Sequence, residues 1–143
     1  MKYSEIKNLK EFCNGLHSEP DWREVLQNAL DDADDFEVSN VRFISDSAID
    51  SIQQDELSSD LYCLGCFNAD FLADYLPIDA EDIKNIQDAG AYEAIGKMIL
   101  PVIEDVQKGY ASADGYGHHF NHYDFNEDEI FINGNLYHVF DNH

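Results

Sequence analysis

The sequence predicts an α+β fold: five or six helices packed on a small antiparallel sheet, made of one strand from the N-terminal half and a C-terminal β-hairpin. Three observations lead there. Apolar residues recur at helical spacing over most of the stretch from Ile6 to Val106. Val41-Arg42-Phe43-Ile44 is a short β-branched and aromatic run. Asn133-Gly134 lies between two apolar runs, which is the strongest short hairpin signal a sequence carries. A length of 143 residues fits one domain spanning 1–143. A chain of this size buries roughly 70% of its unfolded surface, so it can hold together without disulfides. Its three cysteines are expected to be reduced thiols.

In chain order, Ile6, Leu9, Cys13 and Leu16 share one helical stripe, and Gly15 marks the end of a helix over 3–16. Pro20 suits a first helical position. Trp22, Val25, Leu26, Ala29, Leu30 and Ala33 then form the clearest amphipathic pattern, with Asp31, Asp32, Asp34 and Asp35 at its exit. The 41–44 run ends at Ser45 or Asp46, either able to cap a helix reaching Ser58. Residues 60–76 carry Leu61, Cys63, Leu64, Phe67, Phe71, Leu72 and Leu76 on more than one face, which predicts a central buried helix stopped by Pro77. Asp79 caps a short helix ending at Gly90, and the apolar run from Tyr92 to Val106 should be kinked or divided at Pro101. From Gly109 to Asn126 no period is sustained, and a loop is expected. The closing hairpin pairs Ile132 with Asn135, Phe131 with Leu136, Ile130 with Tyr137 and Glu129 with His138. That register turns Ile130, Ile132, Tyr137 and Val139 to the core. It leaves Glu129 beside His138 near solvent, with Phe131, Leu136 and Phe140 partly exposed.

Charge is the unusual property. Eight Lys and Arg stand against 30 Asp and Glu, for a net charge of −22. Such a chain is repelled by nucleic-acid phosphates and by anionic membranes, so direct binding to either is excluded as a function class. The first residues carry charges where a secretory signal needs an apolar stretch, and the longest apolar run, 98–103, is too short to cross a bilayer. A cytoplasmic protein is expected. Acids three or four apart on a helix lie about 5–6 Å from each other, comparable with phosphate spacing along a strand. A folded chain with such rows can fill a basic nucleic-acid channel, or it can simply carry a solvated acidic surface. The candidate partner-binding residues are Asp46, Asp50, Asp55, Glu56 and Asp60, and the cluster Asp31, Asp32, Asp34 and Asp35. Asp46, Asp50, Asp55 and Glu56 are expected to be exposed, so reversing them should leave stability nearly unchanged. Phe120, Tyr123 and Phe125 offer an apolar alternative interface.

Size and charge resemble the DNA-mimicking antirestriction proteins and acidic anti-CRISPR proteins of phages and conjugative plasmids. The stretches Phe43 to Asp50 and Gly117 to Asp124, with Asn126-Glu127 and a terminal hairpin after them, are similar to pieces of small mobile-element proteins. The resemblance implies a non-enzymatic counter-defence inhibitor in a bacterial cytoplasm, acting by occlusion and carrying no catalytic residue. Its partner would be a basic nucleic-acid-binding protein: a CRISPR effector subunit, a restriction enzyme or a nuclease. An immunity protein against a basic nuclease toxin is the alternative within the same binding chemistry. The chain departs from extreme DNA mimics in its aromatic content, 13%, and in its histidine-rich stretch at 118–122.

Catalytic patterns are missing. There is no phosphate loop, nucleophile elbow, dinucleotide fingerprint or His-Glu-x-x-His helix, and no cofactor is expected. Cys63 and Cys66 with His118, His119 and His122 formally supply a zinc ligand set, which is the remaining alternative. However, about fifty residues separate the two halves, whereas zinc modules keep ligand pairs close. Cys63 and Cys66 read more simply as small buried residues of an apolar helix, the three histidines as a polar loop, and Cys13 as part of the core stripe.

Overall fold

Two hairpins build a four-stranded antiparallel sheet. In the computed structural model, which describes all residues from Met1 to His143, strands β1 (Asp35–Val38), β2 (Val41–Ser45), β3 (Asp128–Ile132) and β4 (Asn135–Asp141) lie in the order β1-β2-β4-β3. The class is α+β, as expected. The C-terminal hairpin has the predicted register residue for residue, from Glu129 opposite His138 to Ile132 opposite Asn135. Its turn residues Asn133 and Gly134 have φ of 51° and 81°, the two positive values that a type I′ turn requires.

Strand β1 was not foreseen. Asp35-Phe36-Glu37-Val38 alternates polar and apolar residues, but the run of aspartates before it reads as the solvated exit of a helix. Ser39 and Asn40, with φ of 50° and 66°, make a second two-residue turn that folds β1 onto β2. Phe36 then stacks on Phe43 with ring centroids 5.1 Å apart.

The packing divides into two compact units. The first comprises Met1–Ile49 with Asp114–His143, and the second is Asp50–Ala113. In the first unit, helices α1 (Tyr3–Gly15) and α2 (Trp22–Leu30) join one face of the sheet around Leu9, Cys13, Val25, Ala29, Val41, Phe43, Tyr137 and Val139. The α2 helix begins two residues later than expected, at Trp22. Asp21 accepts from Arg23 N as its cap, and Pro20 precedes it. The opposite sheet face carries Ile44, His138 and Phe140, all buried. Phe140 packs on Phe120 at 5.2 Å, and Arg42 lies over the same Phe120 ring. Phe140 and His138 were expected near solvent. They are covered because residues 109–126 are not simply a loop.

The second unit has a helical core of its own, including Leu57, Leu64, Leu72, Ile83, Ile95, Ile99 and Val106. It is built from most of α3 (Ile49–Ser58), α4 (Leu61–Leu64), α5 (Ala69–Ala73), α6 (Ala80–Asp88), α7 (Tyr92–Ile99) and most of α8 (Ile103–Asp114). The single helix expected over 60–76 is broken. The Asn68 side chain accepts from the N–H groups of Asp70 and Phe71, which starts a new helix there. Gly65 sits so close to α7 that a Cβ would lie 1.8 Å from the Tyr92 carbonyl oxygen. Pro101 divides the next run as anticipated, through a 3₁₀ turn at Leu100–Val102. The α8 helix continues through Gly109, where the missing Cβ makes room for the Tyr75 hydroxyl, 2.0 Å from the position a Cβ would take. The glycine is there for packing and does not end the helix. A further short helix, α9 (Tyr116–Phe120), follows. No helix is long and apolar enough to cross a membrane.

Candidate functional site

The acidic charge lies outside. Of the 30 acids, Asp50, Glu56, Glu127 and Asp141 are half-buried, every other one is exposed, and none is buried. Eight Lys and Arg cannot neutralise them under any pairing. Ion pairs such as Lys7–Glu11, Arg23–Asp21 and Lys108–Glu104 are themselves exposed and contribute little. In the second unit, thirteen acids face the three lysines Lys84, Lys97 and Lys108. A groove of about 640 Å³ there has Asp70, Glu81 and Asp88 among its walls, with Lys84, Cys66 and Tyr92.

The candidate partner-binding residues are divided between the two units. Asp31, Asp32, Asp34, Asp35 and Asp46 belong to the first unit, and Asp50, Asp55, Glu56 and Asp60 to the second. On α3 the helical twist puts Asp55 and Glu56 about 140° and 240° around the axis from Asp50. Several also hold the local structure. Asp31 accepts from the Gln27 amide, Asp34 from the Ser45 hydroxyl at 2.8 Å, and Asp35 takes the Arg42 guanidinium bidentately at 2.9 and 2.7 Å. Asp60 caps α4. Asp50 accepts from the buried Gln107, whose side chain also meets Gln53 and Gln54. Asp50 and Glu56 are half-buried where exposure was expected, and reversal at Asp50 carries a structural cost because it breaks the bond to Gln107. Asp55 is exposed on the outer side of α3.

Asp46, expected as a helix cap, instead reaches a buried imidazole. His138 is 6% exposed at its side chain. Its Nε2 lies 2.8 Å from Asp46 Oδ1, and its Nδ1 meets Glu127 Oε1, with Glu129 Oε1 at 3.9 Å. The Tyr116 ring closes one side at 5.1 Å. Burial pulls the imidazole pKa down, but hydrogen bonds and charge from Glu127 and Asp46 outweigh it and hold the group up at about 9. The loop that delivers Glu127 is organised by buried Asn121. Its amide donates to Asp124 Oδ1 and the Asn126 carbonyl, and its oxygen accepts from Tyr123 N. The oxygens of Glu127 and Glu129 and the His138 nitrogen all lie within 4.8 Å of one another. The hairpin register already placed Glu129 beside His138. The missing information was that α9 and the 121–127 loop would bury His138 and bring Glu127 to it.

Of the cysteines, Cys13 is buried in the core, and burial, aided by the charge of Asp21, pushes its thiol up to about 11. Cys63 and Cys66 are exposed, contrary to expectation. Cys63 lies within α4 and Cys66 in the break that follows it, where Cys66 Sγ donates to the Tyr62 carbonyl. They lie in the second unit, whereas His118, His119 and His122 lie in the first, on α9 and just after it. Among the aromatic candidates, Phe120 is buried while Tyr123 and Phe125 are 62% and 59% exposed. No family model, curated protein or solved structure matches this chain.

Proposed function

We propose that this chain is a non-enzymatic inhibitor of a basic bacterial defence protein, a CRISPR effector subunit or a restriction enzyme, whose nucleic-acid site its acidic surface occupies. One observation carries the reading: a net charge of −22 borne by carboxylates of which none is buried. Self-repulsion of that size opposes folding, and a steering field toward a basic partner is what it provides in return. Such a surface competes with phosphates for Lys and Arg side chains, and occlusion needs no catalytic group. The protein would act in the cytoplasm of a bacterial host.

The test is affinity capture from a host carrying CRISPR and restriction systems, followed by a nucleic-acid binding assay on the captured partner. Addition of the protein should displace nucleic acid from the partner stoichiometrically. A ternary complex holding both contradicts the reading. Capture of a nuclease toxin whose activity is blocked identifies the same chemistry in an immunity protein.

A further inference from the structure

We propose that His138, Glu127 and Glu129 bind one divalent transition-metal ion, with Asp46 orienting the imidazole from its far side. Two strands and a loop bring the ligands together. Glu129 and His138 are opposite each other on β3 and β4 and share a sheet face, and Glu127 precedes β3 on the loop held by Asn121. Their donor atoms lie within 4.8 Å of one another, so one ion can reach all three.

The imidazole is set up as a ligand. Its Nε2 is bonded to Asp46 Oδ1 at 2.8 Å, and this carboxylate partner keeps the Nε2 proton in place, so that an ion displacing the proton Nδ1 shares with Glu127 meets the Nδ1 lone pair. The arrangement of carboxylate, imidazole and metal recurs because the outer carboxylate both aims the ring and raises its basicity. At Nδ1 two glutamates converge on one nitrogen. A proton there serves Glu127, while Glu129, at 3.9 Å, lies beyond hydrogen-bond reach. A divalent ion satisfies both carboxylates and the nitrogen together. The side chain of His138 is 6% exposed, while that of Glu129 is 56% exposed, so the site is anchored within the fold and open to solvent on one side.

Donor chemistry sets the class of ion. One imidazole nitrogen with two carboxylate oxygens suits Zn²⁺ and its first-row neighbours, whereas Mg²⁺ and Ca²⁺ prefer all-oxygen shells. Three protein ligands leave a coordination position for water. The site is separate from the Cys63, Cys66 and histidine-loop set considered from sequence.

Calorimetric titration of the chelator-treated 143-residue chain with ZnCl₂, MgCl₂ and CaCl₂ tests this. One saturable Zn²⁺ site is expected, with Mg²⁺ and Ca²⁺ at least about tenfold weaker, together with a Zn²⁺-dependent shift of the His138 imidazole resonances in NMR. Glu129→Gln changes an exposed side chain and should weaken Zn²⁺ about tenfold or more; Glu127→Gln provides a second ligand variant. Asp46→Asn should cost about 10–100-fold in affinity through ring orientation. The proposal is overturned by an absence of saturable Zn²⁺ binding, or by equal binding of Ca²⁺. It is also overturned by Zn²⁺ binding that leaves His138 unshifted and survives both glutamate substitutions, which would place the ion on other residues.

Discussion

Cys13 and the pair Cys63 and Cys66 show how far single residues could be read. Cys13 fell on a clean helical stripe and is fully buried. Cys63 and Cys66 fell in a run apolar on several faces, where periodicity could not say which side was outside, and both are exposed. Alkylation of the native protein at neutral pH should therefore label two thiols, counted by mass spectrometry, with Cys13 reacting only after unfolding. Labelling of three in the native state contradicts the burial of Cys13. His138 gives the second residue-scale prediction. In protein stripped of divalent ions its folded pKa of about 9 lies above the ordinary 6.5. Its contribution to stability is therefore full below about pH 6.5 and is lost as pH rises through about 9, up to about 3 kcal/mol in all. Imidazole NMR should show a midpoint near 9, and one near 6.5 would show that Asp46 and Glu127 do not hold the ring.

At the scale of elements, the C-terminal hairpin was legible in full because a two-residue turn and a period of two leave the register no freedom. Strand β1 was not, since Asp31 to Asp35 reads as solvated helix exit until the Ser39-Asn40 turn is seen to pair it with β2. The break at 65–68 was hidden for another reason: it depends on the backbone of α4 touching that of α7, a contact between segments distant in sequence. Gly65→Ala would drive a Cβ into the Tyr92 carbonyl, and should lower stability by about 3 kcal/mol or more in denaturant unfolding. Gly15→Ala, with nothing within 4 Å of the added atom, should change it by no more than about 0.5 kcal/mol. Equal effects from the two would contradict the close packing of α4 on α7. Phe131 sits on edge strand β3 and is 70% exposed. Phe131→Ser should thus leave the melting curve within about 0.5 kcal/mol of the parent, unlike its buried neighbours Phe140 and Ile132.

For the molecule as a whole, composition announced the acidic surface, and the structure distributes it over both compact units. What composition could not supply is which acids are structural. Asp35, Asp46, Asp50 and Asp60 each accept a hydrogen bond that holds an element or a buried side chain, because carboxylates so numerous are also the available caps and acceptors. We propose that the remaining charge engages a basic partner in place of phosphates. The most direct measurement is the partner's affinity as a function of salt concentration. Carboxylates against Lys and Arg at a solvent-accessible interface predict a fall of about tenfold or more between roughly 50 and 500 mM salt. An affinity unchanged over that range would contradict the account and transfer the interface to exposed aromatics such as Tyr123, Phe125 and Phe131.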